Sequence, residues 1–249
     1  MLSSADLLST LLGVGLLAAL TVGVLWSVGA PHQFAPSLAI LRGAAQLALI
    51  SVVLGGVIAN PVWVGVALCV MFSVATITSA RRLGGGVRRV LIVGAAMASG
   101  VGATLAVVFI SGAIEATPRY ALAIGGIVIG NAMTTATLAG RRFFESVDEH
   151  WDEVEGWLAL GATPRQSTLD RARHAVYSAL IPSTDQTKTT GLVTLPGAFV
   201  GAIFGGVSPV EAGRFQIVVL ASIMAAGSIT AAFVVHCFAP VSVRPDAPS

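Results

Sequence analysis

The stretch VLIVGAAMASGVGATLAVVFISGAI, residues 90–114, runs for 25 positions without a charge and follows directly on Arg88-Arg89. A helix needs about 20 apolar residues, at 1.5 Å each, to cross about 30 Å of hydrocarbon. This run is therefore read as a membrane span whose start is marked by the two arginines. Upstream of them, Arg81-Arg82 and three glycines make a short loop after another apolar run, 62–80. Working outward in both directions gives seven such stretches: 7–28, 38–58, 62–80, 90–114, 120–139, 189–207 and 214–238. They are too long for barrel strands and do not alternate, so the expected fold is all-α, a polytopic bundle of about seven transmembrane helices. Gly94-Ala95-Ala96 and Gly125-Gly126 to Gly130 are the small residues that let helix backbones approach closely in lipid.

Composition agrees. Of 249 residues, 55% are hydrophobic and 10% charged, and the mean hydropathy is +0.86. A soluble domain carries roughly 25% charged residues, which excludes a water-facing globule here. The net charge of +2 says little about partners, and none of nucleic acid is expected. Cys69 and Cys237 lie inside apolar runs, without the spacing of a disulfide framework or zinc site. Lys188 is the one lysine, so the chain has no G-x-x-x-x-G-K-[ST] phosphate loop. No cofactor is expected on this chain, and any ATP belongs to another subunit. The 7–28 run follows Asp6 with no Lys or Arg before it, and is read as a retained first span rather than a signal peptide.

Basic residues set the orientation. Arg81, Arg82, Arg88, Arg89, Arg141, Arg142, Arg165, Arg171, Arg173 and Lys188 fall on one side of a seven-span bundle, with Arg42 and Arg244; Arg119 and Arg214 fall on the other. Positive charge marks the cytoplasmic face, giving an N-terminus out and a C-terminus in. One stretch leaves two options. Residues 189–207 carry Pro196 and glycines at 191, 197, 201, 205 and 206, so they either cross fully or form a broken, re-entrant helix.

Residues 140–186 form the long polar segment, read as a cytoplasmic helical hairpin inserted in a single transmembrane domain, 1–249. Val147, Trp151, Val154 and Leu158 make an apolar stripe at helical spacing. Gly161 interrupts it. Thr163, Pro164 and Gln166 then spell a capping box with proline at the first helical position. A second stripe follows at Leu169, Ala172, Val176 and Leu180. The alternative is a solvated loop whose charges only keep it soluble.

Polar groups within spans are costly and default to functional candidates. They are Arg42 and Gln46 in the second span, Asn131, Thr134 and Thr135 in the fifth, Thr194 and Pro196 in the sixth, and Gln216 in the last. Arg42 either serves a pathway or snorkels to the interface. The Asn131 patch either lines a pathway or glues helices together. No carboxylate sits mid-span, and His32, His150, His174 and His236 are scattered, so the residues that coordinate any metal are left unassigned.

Two sets of residues carry a family resemblance. Glu155, Gly156 and Gly161 resemble the cytoplasmic loop of ABC-transporter permeases: a Glu, two small residues, and a Gly six positions on. Longer matches are Arg42 to Leu47, Ile129 to Met133, Ala159 to Gln166, Ala179 to Pro182, Lys188 to Gly197, and Ser208-Pro209 with Arg214 to Val219. These resemble the FetB-like iron-export ABC permeases and are similar to plant aluminium-tolerance half-transporter permeases. The likeness covers about residues 38–220. It implies a cell-membrane permease, not itself an enzyme, that forms a homodimer, faces lipid and pairs with ABC ATPase subunits that bind ATP and Mg. The cargo implied is iron or a related metal, as the ion or as a complex. It also implies that Glu155, Gly156, Gly161, Ala162, Thr163, Pro164, Arg165 and Gln166 form the ATPase-coupling corner. The rival reading is an ATP-independent secondary transporter or channel, which usually carries mid-membrane carboxylates and inverted repeats.

Overall fold

The computed structural model describes residues 4–57 and 60–245; residue 58, the end of the expected second span, lies outside them. Among the described residues there are ten helices and no strand: α1 (Ser4–Ser27), α2 (Ala35–Val57), α3 (Pro61–Arg82), α4 (Val87–Ile110), α5 (Pro118–Glu149), α6 (Trp151–Ala159), α7 (Pro164–Ser167), α8 (Leu169–Thr189), α9 (Gly197–Phe204) and α10 (Pro209–Phe238). Five of them are long and apolar enough to cross a bilayer: Leu8–Ser27 of α1, then α3, α4, α5 and α10. α2 is apolar over Ala35–Ser51. The chain is an all-α, multi-pass membrane protein.

Two compact units divide it, Met1–Ala59 and Asn60–Ser249. In the first, α1 and α2 pair as a hairpin, and the Ser37 hydroxyl donates to the Ala18 carbonyl at 3.3 Å.

In the second unit α4, α5 and α10 share one core. Val93, Met97, Ile124, Val128, Val219 and Val234 are buried there. Small residues bring the backbones together: Gly100 faces Ala226 and Thr230, Gly125 faces Leu68, and Gly140 faces Leu83. Hydroxyls bond across helices, Thr137 to Ser79 at 3.0 Å and Thr230 to the Ala96 carbonyl at 3.4 Å. Lipid offers no hydrophobic drive for association, so close packing and such bonds hold a membrane bundle together. α3, α5 and α10 each begin with a capping side chain and a proline, at Asn60-Pro61, Thr117-Pro118 and Ser208-Pro209. The cap supplies an acceptor to a free amide, and proline has no amide to leave unpaired. These three helices start at the same end of the unit, where Glu115, Tyr120, Glu211 and Arg214 line one cavity. At the other end Arg141 donates to the Arg82 carbonyl, and the Arg89 guanidinium lies 5.9 Å above the Phe144 ring. The unit thus has a basic end and an opposite end.

Of the two options for residues 189–207, the broken helix is the one seen: α9 has eight residues, about 12 Å of rise. The return from the basic end is shared by α8, residues 190–196 and α9. α8 covers the second half of the expected cytoplasmic segment, 140–186, and runs on to Thr189. Its inner face is a row of alanines, Ala172, Ala175 and Ala179, which pack into a second core with Phe143, Val147 and Val235. That core keeps the start of α8 at the basic end, so the end of α10 lies on the same side as Arg88 and Arg89, which line one cavity with Cys237 and Phe238.

Candidate functional site

The corner between α6 and α7 is built by two helix ends set back to back. α6 closes with the Ala162 amide donating to the Trp157 carbonyl and the Gly161 amide to Leu158, both at 3.0 Å. This paired closure places Gly161 in the left-handed region, at φ 88°, where only glycine sits without strain. Two residues on, α7 opens with the capping box. The Gln166 amide donates to the Thr163 hydroxyl at 3.3 Å, and the Thr163 amide to Gln166 Oε1 at 2.9 Å. A methyl at Gly156 or Gly161 would meet nothing within 4 Å, so both sit on an open surface. Glu155 is exposed and makes no ion pair among the described residues. Trp157 is 53% and Leu160 82% exposed. They line a groove with Gly161, Ala162, Gln166 and Leu169. A rigid two-helix corner with an apolar rim is a shape suited to seating in another protein.

The corner is fastened to the bundle at several points. Arg165 Nη2 donates to the His236 carbonyl at 3.2 Å, and the buried Thr168 hydroxyl to the Ala239 carbonyl at 2.6 Å. Both carbonyls belong to the end of α10, where a helix has no partners of its own to offer. Glu153 pairs with Arg171, and Asp148 with Arg244 at 2.6 Å. The hydrogen bond to Asp148, and then its charge, raise the Arg244 pKa above its ordinary value.

The in-span candidates are dispersed. Arg42 and Gln46 are exposed on α2 in the first unit. Asn131 is half-buried and donates to the Ile127 carbonyl at 2.9 Å, while Thr134 is exposed and bonds the Gly130 carbonyl at 3.2 Å. Thr135 is buried beside Gly227 and Leu180, where α5, α10 and α8 meet. Thr194 lies in the break after α8, with its carbonyl accepting from the Gly191 amide at 2.8 Å, and Pro196 precedes α9. Gln216 is buried, and its Oε1 has no partner among the described residues. Among those residues no hydrogen bond joins these groups to one another, and no three His, Cys, Asp or Glu converge as metal ligands.

Residues 8–240 match the Uncharacterised protein family UPF0014. The chain belongs to this family. Its relatives include Protein ALUMINUM SENSITIVE 3 of Arabidopsis thaliana, 36% identical over 69% of this chain and 63% of that protein. UPF0014 membrane protein STAR2 of Oryza sativa subsp. japonica is 36% identical over 77% of this chain and 68% of its own length. The Probable iron export permease protein FetB of Escherichia coli is 37% identical over 57% of this chain and 54% of that protein. The chain thus spans a little over half to two thirds of the length of these relatives. No solved structure matches it. Family membership and the apolar helices together make this UPF0014 chain a multi-pass protein of the cell membrane.

Sequence reasoning on this UPF0014 chain found the corner but missed Thr168 and Ala239, which fasten it to α10, and the Arg244–Asp148 pair, which ties the tail to the end of α5. The available signal was general: the last carbonyls of a helix need donors, and Arg165 in α7 and Thr168 just after it supply two.

Proposed function

We propose that this chain is the membrane-spanning permease subunit of an ABC-type exporter, driven by a separate ATPase subunit seated on the Glu155–Gln166 corner. The observation that carries the reading is the corner itself. It is a glycine-closed helix end and a capping box forming a rigid projection with exposed Trp157 and Leu160 at the basic end. In this reading the basic end is cytoplasmic, as the positive-inside rule directs, and the N-terminus faces out. Two copies pair, each binding one ATPase, and ATP with Mg is held by those partners and not by this chain. The chain performs no reaction of its own. The cargo is iron or a related metal, free or complexed, a choice supported by the name of the Escherichia coli relative. Asn131, Thr134, Thr135, Thr194, Pro196, Gln216, Arg42 and Gln46 are the proposed pathway groups. Apart from Arg42, whose guanidinium only donates, they offer hydroxyl, amide and carbonyl oxygens, which suit weak and reversible coordination.

The test is co-purification with the ATPase and metal accumulation in cells lacking or overproducing the pair, across iron, manganese, zinc and aluminium. Gly161→Glu should leave the chain inserted in the membrane and abolish ATP-driven export. Full export by that variant, or transport by the purified chain down an ion gradient with no hydrolase bound, overturns the proposal.

A further inference from the structure

We infer that Thr168 is a positioning residue that locks the docking corner to α10, so that the two move as one body; this rests on the ATPase-docking reading. The corner has three routes into the membrane. Two are covalent, through α6 to α5 and through α7 to α8, and both are interrupted. His150 stands between α5 and α6 with φ −118° and ψ 34°, and Thr168 between α7 and α8 with φ −108° and ψ 4°, each belonging to neither helix. The third is lateral, through the end of α10, and it is closed by hydrogen bonds.

Thr168 is wholly buried, and its hydroxyl lies 2.6 Å from the Ala239 carbonyl and 3.1 Å from the Pro164 carbonyl. One hydroxyl has one hydrogen, so the shorter contact takes the directed bond. Arg165 reaches the His236 carbonyl three residues earlier in the chain. At the negative end of α10 the His236 carbonyl is thus served by a cation, and the Ala239 carbonyl takes the Thr168 hydroxyl beside the Val241 amide. α10 has 30 residues, about 45 Å of rise, and packs against α4, α5 and α8 on its way to the opposite end. A displacement of the corner applied through Thr168 and Arg165 therefore acts on the helix that touches most of the bundle. The Glu153–Arg171 pair beside it is half-exposed and open to salt, whereas the Thr168 hydroxyl is wholly buried.

The experiment uses the permease in complex with its ATPase, with Cys69→Ala and Cys237→Ala and one labelled copy per complex. Nitroxides placed at Ala159, beside the groove and outside its lining, and at Val210 on the far end of α10, both exposed, report one distance. A second pair, Ala159 and Val62 on α3, reports another. Both are read by pulsed EPR without nucleotide and after vanadate trapping. The expected result is an Ala159–Val210 distance unchanged by nucleotide, while the Ala159–Val62 distance shifts. Thr168→Val should make the first distance broaden and shift with nucleotide, and Thr168→Ser should restore it. The valine variant keeps the bond from the Val241 amide to the Ala239 carbonyl at 2.8 Å, so no carbonyl is stripped bare. The inference is overturned if Thr168→Val behaves as the native chain, or if the native Ala159–Val210 distance itself shifts. No co-purifying ATPase, or no shift in the Ala159–Val62 pair, removes the docking reading and this inference with it.

Discussion

Gly100 on α4 lies so near Ala226 on α10 that a methyl group on it would sit 2.6 Å from the Ala226 carbonyl oxygen. That atom is backbone and cannot swing away. Gly100→Ala gains about 1 kcal/mol of helix propensity but should lose about 1–3 kcal/mol to overpacking. The melting temperature in detergent should fall. Gly102→Ala, two residues on with open space around it, should hold or raise it. Equal melting temperatures for the two variants would show that α4 and α10 are not in this register.

Gly161 needs its left-handed backbone, whereas Gly156 is helical with free space beside it. Gly161→Ala should cost about 1–2 kcal/mol in that conformation and speed amide exchange at Gly161 and Ala162. Gly156→Ala should slow exchange in α6. The opposite order would remove the tight closure.

Thr163→Ala deletes the acceptor for the Gln166 amide, at a cost of about 0.5–2 kcal/mol to the start of α7. Faster exchange at Gln166 is the check, and Thr163→Ser should behave as the native chain. An unchanged rate in the alanine variant would mean the box contributes nothing.

Arg244→Gln breaks the pair with Asp148. The guanidinium stays charged at all ordinary pH, its pKa being raised by the hydrogen bond to Asp148 and then by its charge. The expected change in melting temperature is smaller than for Gly100→Ala and vanishes in concentrated salt. A drop that persists in salt would mean the tail is held by more than charge.

Gln216→Leu replaces a buried carbonyl oxygen that has no partner among the described residues. Removing an unmet polar group should leave stability unchanged or raise it. Metal export measured on the same variant separates two roles: a loss supports the pathway assignment, and full export removes Gln216 from it.

Where sequence was a good guide, the information was local. A charge-free run bounded by arginines declares its own ends, and α4 begins at Val87, within three residues of the expected start at 90. Thr163, Pro164 and Gln166 spell their cap in consecutive positions. The helix of α8 was legible from its stripe at Leu169, Ala172, Val176 and Leu180, but its part in the return was not, because its buried face is alanine: small residues pack well in a bundle yet add little to an apolar run, and Asp185 and Lys188 mask them. The Thr168–Ala239 bond was not legible either, since the partners are 71 residues apart and neither residue type announces it.

The break between α8 and α9 differs from an ordinary loop in its donors. Every amide from Thr190 to Thr194 bonds a backbone carbonyl close by, three of them converging on Thr189, while Leu192 and Val193 point outward at 92% and 78% exposure. The carbonyls of Thr190, Gly191, Leu192 and Val193 accept none of these bonds among the described residues, and irregular backbone at membrane depth must meet protein or a wet cavity rather than bare lipid. The seam in this crossing is therefore half-sated: it asks its surroundings for donors only, and whatever covers it has to supply them.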